Sequence, residues 1–338
     1  MKIKLSVALI LSVIMVASTA WAAQVAGVVS AIRGTAEVHR PPAAGWANVT
    51  KGAFLYEGDK LKVGPKSVCG VTLLTGVEIR LNAGAVFEVP AREAGERGGW
   101  QRVKLNKGGA WARWLGASGK KFEMRTPTAT IGVRGTEWSV EADEGQTEVV
   151  CYSGSVEVGN AYGAVLLKPG EKTSAGAGGA PAQPEKLPED KKRSPDWTNE
   201  VKGRGTLKVI VSVSSAKVGE PVGMTIEARK SDGKLDTGGE GAPKEIELKG
   251  DGLEVSGDAG ATWGATARAA LTAGAAKAAV RRATPGSGQV MISAEGYPAT
   301  ALGLSVSGKG EPKSRLLKVK VKGPDGTEEE LQLRYKKE

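Results

Sequence analysis

Short runs of alternating apolar and polar residues recur along nearly the whole chain, and glycine or charged turns separate them. Such period-two alternation is typical of β-strands that bury one face. No stretch keeps a helical period for three turns, and 48 of the 338 residues are glycine, which destabilises helix interiors. The sequence therefore predicts an all-β protein.

The N-terminal residues have the features of a secretory signal peptide and are excluded from the predicted fold. A positive start, an apolar run over residues 5–17 and a small-x-small motif predict cleavage between Ala22 and Ala23. The apolar run is shorter than the roughly 20 residues that a spanning helix needs, which disfavours the alternative of an uncleaved anchor. No cysteine follows the cleavage site, so we expect a periplasmic or secreted protein without a lipid anchor.

The mature chain is long enough for two units with separate cores. After the signal peptide, residues 1–22, we expect a first all-β domain at 23–175, either a sandwich or a stacked β-solenoid. Residues 176–204 are rich in glycine, alanine, proline and charge, which predicts a semi-extended linker that holds the domains apart. Residues 205–308 fit an immunoglobulin-like sandwich. Residues 309–338 form a tail.

Individual strands follow from the alternation. In the first domain we expect strands at residues 25–32, 35–39, 60–63, 67–73, 78–81, 85–89, 101–105, 121–125, 137–141, 146–152, 155–158 and 164–167. In the second we expect them at residues 206–214, 222–229, 245–249, 275–281, 289–294 and 301–306. The Ala-rich residues 265–279 could be helical, but Thr272 and Gly274 favour a strand, a turn and a strand. The tail alternates on both sides of a Gly-Pro-Asp-Gly turn and predicts a hairpin that adds to the preceding sheet or to a partner's edge.

Charge and hydropathy argue against nucleic-acid binding and against a further membrane-spanning segment. The formal net charge of +10 falls to +8 when Lys2 and Lys4 leave with the signal peptide, and the remaining excess is spread along the chain. Nucleic-acid binding needs a concentrated basic face with stacking aromatics, so we expect none. Charged or Gly-rich segments interrupt every apolar run after Ala23, so we expect no integral membrane segment after signal removal.

The residues that catalysis or metal binding needs are scarce. The chain has one histidine, His39, and no G-x-S-x-G elbow, P-loop, EF-hand or dinucleotide motif. The acidic residues Glu141, Asp143 and Glu144 lie between two alternating runs and end at Gly145, which indicates a solvated hairpin turn rather than a cation site. We therefore predict no catalytic residues, no metal and no cofactor, and a protein that is not an enzyme.

Cys69 and Cys151 both lie at strand-like positions of the first domain. Export to an oxidising compartment allows a disulfide between them. Strand spacing alone does not show that their Cβ atoms come within bonding range. We favour the alternative, in which both are buried thiols that pack as small apolar groups.

The segment TPTATIGVRGTEWSV, residues 126–140, followed by QTEVVCYSGSVEV, residues 146–158, resembles the FecR domain family. The ordered matches continue upstream, with Gly58-Asp59 before Leu61, and downstream, with Lys-Pro-Gly-Glu at 168–171. The central motif residues are Thr126, Pro127, Val133, Arg134, Gly135 and Thr136.

FecR-like proteins are regulators that pass a signal from an outer-membrane transporter to a cytoplasmic sigma factor. That role requires a cytoplasmic N-terminal segment, a membrane-spanning helix and a transporter-contacting C-terminal domain, and the sequence departs from all three. The resemblance therefore implies an extracytoplasmic interaction or scaffolding domain. Residues 205–308 in turn resemble the immunoglobulin-like modules of bacterial adhesins, with the motif AKVGEPV at 216–222.

The central motif also predicts a local shape. Pro127 favours an extended entry, and Gly132 and Gly135 permit tight turns, so we expect Arg134 to project from a sharply turned strand junction. Its guanidinium either ties down neighbouring carbonyl or carboxylate groups, which we favour, or contacts a ligand.

Trp111 and Trp114, in the segment GGAWARWLG, could form an aromatic surface on which a sugar or a peptide stacks, although core packing explains them equally well. Trp138 follows the V-R-G-T motif on an inward position and should be core.

Our leading hypothesis is that the chain binds another envelope component, a protein first and a glycan second, through strand edges and turn loops. The predicted binding residues are Trp111, Arg113, Trp114 and Arg134. Two alternatives stay open: a structural spacer or adhesin-like surface component, and an extracytoplasmic regulator of sigma-factor signalling.

Overall fold

A computed structural model describes residues 24–91, 100–114, 121–192, 194–201, 205–211, 215–230, 232–239, 242–308, 315–322 and 328–335. The protein is all-β, as the alternation predicted. Its described helices are two short 3₁₀ turns, Glu189–Lys191 and Asp196–Val201. Across these ranges no helix has the length and apolar character to cross a bilayer. The predicted signal peptide, with its cleavage site at Ala22 and Ala23, lies outside the described residues.

The N-terminal unit is one 15-stranded sheet. Its strands are β1 Val25–Arg33, β2 Ala36–His39, β3 Trp46–Asn48, β4 Phe54–Tyr56, β5 Lys60–Val63, β6 Val68–Leu73, β7 Val77–Leu81, β8 Val86–Glu88, β9 Trp100–Trp114, β10 Lys121–Arg125, β11 Thr130–Ala142, β12 Gln146–Asn160, β13 Gly163–Leu167, β14 Glu171–Gly176 and β15 Glu185–Lys186. The sheet curls around one core, because buried side chains from β1 through β14 belong to a single cluster. Trp138, Phe87 and Phe122 are among its largest fully buried residues, which confirms the core position predicted for Trp138.

Strand β9 is longer than predicted, because it continues through a Gly-Gly pair. Up to Lys107 it pairs with β8 and β10, and after that it pairs with β7 and β11. Gly108 makes the change of direction with φ at 86°, a conformation that glycine adopts without strain. At Gly109 a Cβ atom would collide with the carboxylate of Glu141. The glycines therefore bend one strand instead of ending it.

The C-terminal unit is a pair of sheets that share a second core. Its strands are β16 Gly205–Val211, β17 Ser215–Lys217, β18 Val222–Lys230, β19 Glu245–Asp251, β20 Glu254–Ser256, β21 Thr266–Ala270, β22 Ala275–Arg281, β23 Gly286–Ala294 and β24 Thr300–Ser307. The sheet orders are β16-β18-β22-β20 and β17-β24-β23-β19-β21. The Ala-rich segment forms β21, a turn and β22, which confirms the prediction, and the two strands lie in opposite sheets. The resemblance to immunoglobulin-like modules stays a prediction.

The two units are in direct contact. An apolar cluster joins them through Val25, Val28, Phe54, Met291 and Ala299. The Ala299 N–H also donates a hydrogen bond of 3.1 Å to the Ser30 carbonyl. The predicted linker includes β15 and both 3₁₀ turns, and it packs along the N-terminal unit. The expectation that it holds the units apart is therefore wrong, since apolar side chains on both units bury each other.

The tail forms the predicted hairpin from β25 Arg315–Lys322 and β26 Glu328–Tyr335. The register pairs Leu317 with Leu333 and Lys320 with Glu330. Within the described residues this hairpin is a separate two-stranded sheet, so the expected addition to the preceding sheet is not seen.

Candidate interaction face

Trp111 and Trp114 point to opposite faces of β9. Trp111 lies opposite Arg80 of β7, and Trp114 lies opposite Val77. Strand residues three positions apart always face opposite ways. Trp114 packs against the core, whereas Trp111 lies on the outer face of the sheet. The expected joint aromatic surface is therefore not formed, because the Gly-Gly pair hid the continuation of the strand.

The indole of Trp111 is covered although it lies on the outer face, with only 3% of the residue exposed. The Arg80 Cζ lies 4.5 Å from its ring centroid, and the Arg113 Cζ lies 5.6 Å from it. Its Nε1–H donates a 3.1 Å hydrogen bond to Oε1 of Glu137. The predicted exposed position of Trp111 is therefore wrong: guanidinium groups pack on the ring face that a sugar would need.

Glu78 is the centre of this arrangement, which we call the Glu78 cluster: Glu78, Arg80, Trp111, Arg113 and Glu137. Arg80 donates from Nε and Nη2 to Glu78 Oε1 at 3.0 and 2.6 Å. Arg113 donates from Nη2 to Glu78 Oε2 at 3.0 Å. The side chains of Glu78 and Arg80 are each only 6% exposed. Both carboxylate oxygens are thus satisfied, which a buried charge requires.

The linker closes one side of the Glu78 cluster. Arg80 Nη1 donates a 2.9 Å hydrogen bond to the carbonyl of Thr198, in the second 3₁₀ turn, and Thr198 is itself buried. Two residues further, Glu200 forms an ion pair with Arg33 of β1. Without the linker, solvent would reach this part of the outer face. The linker therefore buries an ion pair that would otherwise lie at the surface.

Arg113 stays at the surface of the cluster, with 39% of its side chain exposed. Its Nη2 donates a hydrogen bond to Glu78, and Glu137 of β11 is its cross-strand neighbour. Its Nε is buried and has no hydrogen-bond partner among the described residues. Arg113 is therefore a guanidinium that Glu78 fixes on one side and that stays partly exposed.

The central motif lies inside β11 rather than at a sharp turn. Pro127 precedes the strand, and Gly132 is paired between Glu123 of β10 and Glu157 of β12. The register shifts between Arg134 and Glu137, which indicates a β-bulge. The expected turned junction is therefore wrong: the extra residue of the bulge gives the local bend that the two glycines suggested.

Threonine hydroxyls anchor the start of the motif. Thr126 Oγ1 and Thr128 Oγ1 each lie 2.7 Å from Thr147 Oγ1, and Thr128 also donates to the Ala175 carbonyl at 2.8 Å. Thr128 and Thr147 are buried, so this network ties the segment that precedes β11 to β12 and β14. These residues have a structural role that the sequence did not reveal.

The structure describes the side chains of some of the other motif residues and only the backbone of the rest. Val133 and Thr136 are buried. The backbone of Arg134 lies opposite Ser155 of β12, two residues beyond the pairing of Gly132. The structure describes only the backbone of Arg134 and Gly135, so the ligand role of Arg134 stays a prediction. Through β11, the bulge adjoins the pairing of Glu137 with Arg113.

Cys69 and Cys151 are both free and buried. Burial raises the pKa of the Cys69 thiol to about 12. Burial, with Glu171 nearby, raises the pKa of Cys151 to about 11. Thiols that ionise so late are poor nucleophiles at neutral pH.

The acidic segment forms the turn between β11 and β12. Asp143 Oδ1 accepts hydrogen bonds from the backbone N–H groups of Gly145 and Gln146, which lower the pKa of that carboxyl group. Burial, with Glu148 nearby, raises the pKa of Glu141. His39 lies in β2, with its ring centroid 5.6 Å from that of Trp46. Among the described residues no group of three or more potential ligands could hold a metal ion.

Glu78, Arg80 and Glu137 were missed because alternation assigns their positions to solvent. The pattern Val-Glu-Ile-Arg-Leu of β7 places both charges on the outer face. An opposite-charge pair two residues apart on a strand was the available signal. Nothing in the sequence shows that the linker covers it.

Comparison with known proteins gives distant similarities. Two crystal structures of a proposed anti-sigma factor from Parabacteroides distasonis are 25% identical, with TM-scores of 0.34 and 0.35. The alignments cover 39% of this chain and 61% of that one, less than two thirds of its length. A β-glycosidase from Bacteroides vulgatus is 13% identical over 48% of this chain and 22% of that one, with a TM-score of 0.25. Scores this low transfer no function.

No curated protein matches the chain. A family model does match, and it covers residues 59–157, from Asp59 before β5 to Glu157 in β12. This range contains the whole Glu78 cluster and the central motif. The resemblance predicted from the sequence is thereby confirmed for this segment: residues 59–157 match the FecR protein family.

Proposed function

We propose that the chain is a non-enzymatic, extracytoplasmic protein that binds another envelope component, a protein in the first place and a glycan in the second. The observation that carries this proposal is Arg113, a half-exposed guanidinium on the outer face of the FecR-matching segment. The expected partner group is a carboxylate or a carbonyl oxygen, which the exposed part of the Arg113 guanidinium would bind.

Rigidity makes Arg113 suited to recognition. It lies in the interior of the sheet between β7 and β11, and Glu78 fixes one end of its guanidinium. Little side-chain entropy is then lost on binding. A planar, always-charged group with donors in a fixed geometry selects carboxylates better than a flexible lysine does.

The test is capture of partners from an envelope extract by the mature chain, residues 23–338. Arg113→Gln removes the charge and should abolish capture of a specific partner. The matched control is Arg268→Gln, which changes an exposed arginine of the C-terminal unit that also pairs with a glutamate. Circular dichroism checks that both variants fold. A partner retained by Arg113→Gln would contradict the proposal.

A second candidate is a regulator of sigma-factor signalling, favoured by the FecR match over residues 59–157. It predicts that the captured partner is a component of such a signalling system, and that deletion of the gene changes expression from a sigma-dependent promoter. The structural-spacer alternative predicts capture of no partner and no change in transcription.

A further inference from the structure

Strand β13 has an unprotected edge. One side of it pairs with β12, and within the described part of the chain no strand pairs with the other side. Residues 161–167, AYGAVLL, contain neither charge nor proline. Edge strands normally carry such residues to prevent pairing with other chains. The free edge of β13 is therefore open to strand addition.

The outward side chains next to this edge are apolar. Tyr162 is 62% exposed and Leu166 is 56% exposed, and Ala164 lies between them on the same face. The alternate residues Val165 and Leu167 point inward and pack in or against the core. Exposed tyrosine and leucine on one strand face favour burial by a partner.

The entry to β13 is fixed before any partner binds. The Tyr162 N–H donates to Oδ1 of Asn160 at 2.9 Å, and Nδ2 of Asn160 donates to the Gly179 carbonyl at 2.8 Å. The turn is thus tied to the segment that follows β14. A preordered strand loses less entropy when it pairs.

We propose that β13 pairs antiparallel with β13 of a second copy of this chain, about a two-fold axis at Ala164. In this register Tyr162 lies opposite Leu166 of the partner subunit, and the reverse pair forms on the other side of the axis. Such aromatic–aliphatic cross-strand pairs are stabilising. The proposal is independent of the function proposed for Arg113.

The strand is its own complement, which favours a second copy over a different protein. A two-fold contact uses the same patch on both subunits, and both of its apolar pairs are satisfied in this register. No charge on residues 161–167 selects a partner of opposite sign. A five-residue edge buries a small area, so the dimer should be weak and concentration-dependent.

Sedimentation velocity of the mature chain over about a hundredfold range of concentration tests the dimer. We expect a monomer–dimer equilibrium that Leu166→Lys weakens at least about tenfold, because both aromatic–aliphatic cross-strand pairs would lose their aliphatic member. The matched control is Ile210→Lys, which alters an exposed aliphatic residue on β16, another edge strand. It should leave the equilibrium unchanged.

A cysteine variant tests the register. Ala164→Cys places the two new Cβ atoms roughly 5 Å apart across the axis, so mild oxidation should form a covalent dimer. Tyr162→Cys separates its two thiols by four residue pairs and should stay monomeric. A monomer at every concentration, a dimer unaffected by Leu166→Lys, a dimer lost in Ile210→Lys, or a β13 edge that binds only another protein would each overturn the proposal.

Discussion

The two units enclose their cores by different means. The N-terminal unit curls one 15-stranded sheet around large rings, with Trp138, Phe87 and Phe122 fully buried. The C-terminal unit closes two facing sheets around mainly aliphatic side chains. Interiors of both kinds must reach the same packing density. Among the described residues, the N-terminal core holds three aromatic rings and the C-terminal core holds one, that of Tyr297, and aliphatic side chains and alanines fill most of the rest of both.

The units also bury charge differently. In the N-terminal unit the linker covers an ion pair, Glu78 with Arg80, on the outer face of the sheet. In the C-terminal unit Asp236 is buried, accepts a 2.7 Å hydrogen bond from the hydroxyl of Tyr297 and lies 3.7 Å from Nζ of Lys230. The first ion pair is thus covered by another segment, whereas Asp236 has its partners within its own unit.

Trp138→Ala should cause the largest loss of stability. Loss of the indole leaves a cavity beside Phe122, whose ring centroid lies 5.6 Å from that of Trp138. We expect the free energy of unfolding of the N-terminal unit to fall by about 3–5 kcal/mol. Guanidinium denaturation followed by far-UV circular dichroism measures it. Trp46→Ala removes an exposed indole and should change it by less than about 0.5 kcal/mol. A similar small loss in Trp138→Ala would show that rings do not fill this core.

Arg80→Gln tests whether the linker is part of the N-terminal unit. It leaves Glu78 buried with Arg113 alone and removes the guanidinium that binds the Thr198 carbonyl. We expect the free energy of unfolding to fall by about 3 kcal/mol. This is the low end of the range for a broken buried ion pair, because Arg113 still neutralises Glu78. The same variant should expose the peptide bonds near Thr198 to limited proteolysis.

The control for this change is Arg125→Gln, at a partly exposed ion pair with Glu123. Surface pairs contribute about 0–1 kcal/mol, so it should change stability little and leave the linker protected. Equal proteolysis in both variants would mean that the linker is not anchored by Arg80.

The alternation predicted the strands well where polar residues face solvent, as in β2, β5 and β10. It failed at β9, because a Gly-Gly pair predicts a turn unless one knows that Glu141 occupies the space beside Gly109. That failure also produced the expectation of one aromatic surface shared by Trp111 and Trp114. Contacts across long sequence separation decide these cases, and a local pattern does not contain them.

The candidate interaction face also depends on contacts that a local sequence pattern does not contain. Arg113 was predicted as a surface residue, and the structure leaves it half-exposed. The reason for its fixed position, Glu78, comes from a strand 35 residues away. The cover over Arg80 comes from residues that the sequence assigned to a free linker.

Tyr297→Phe probes the buried charge of the C-terminal unit. It removes one donor to Asp236 without changing the ring, and we expect the free energy of unfolding of that unit to fall by about 1–2 kcal/mol. Tyr162→Phe, at an exposed hydroxyl, is the matched control and should be neutral. Thermal unfolding of both variants measures the difference. A loss confined to the N-terminal unit would contradict the assignment of this pair to the C-terminal core.

The smallest expected effect is a loss of stability at alkaline pH. It should differ between the two units, because both cysteines lie in the N-terminal one. Burial raises the pKa of Cys69 to about 12 from an ordinary 9.0, so the unfolded chain loses this proton first. Stability from the neutral thiol is complete below pH 9 and falls as pH rises towards 12, by roughly 1 kcal/mol at about pH 9.5. Cys69→Ala should flatten this part of the pH dependence relative to wild type. An unchanged slope would mean that other groups cause the alkaline loss.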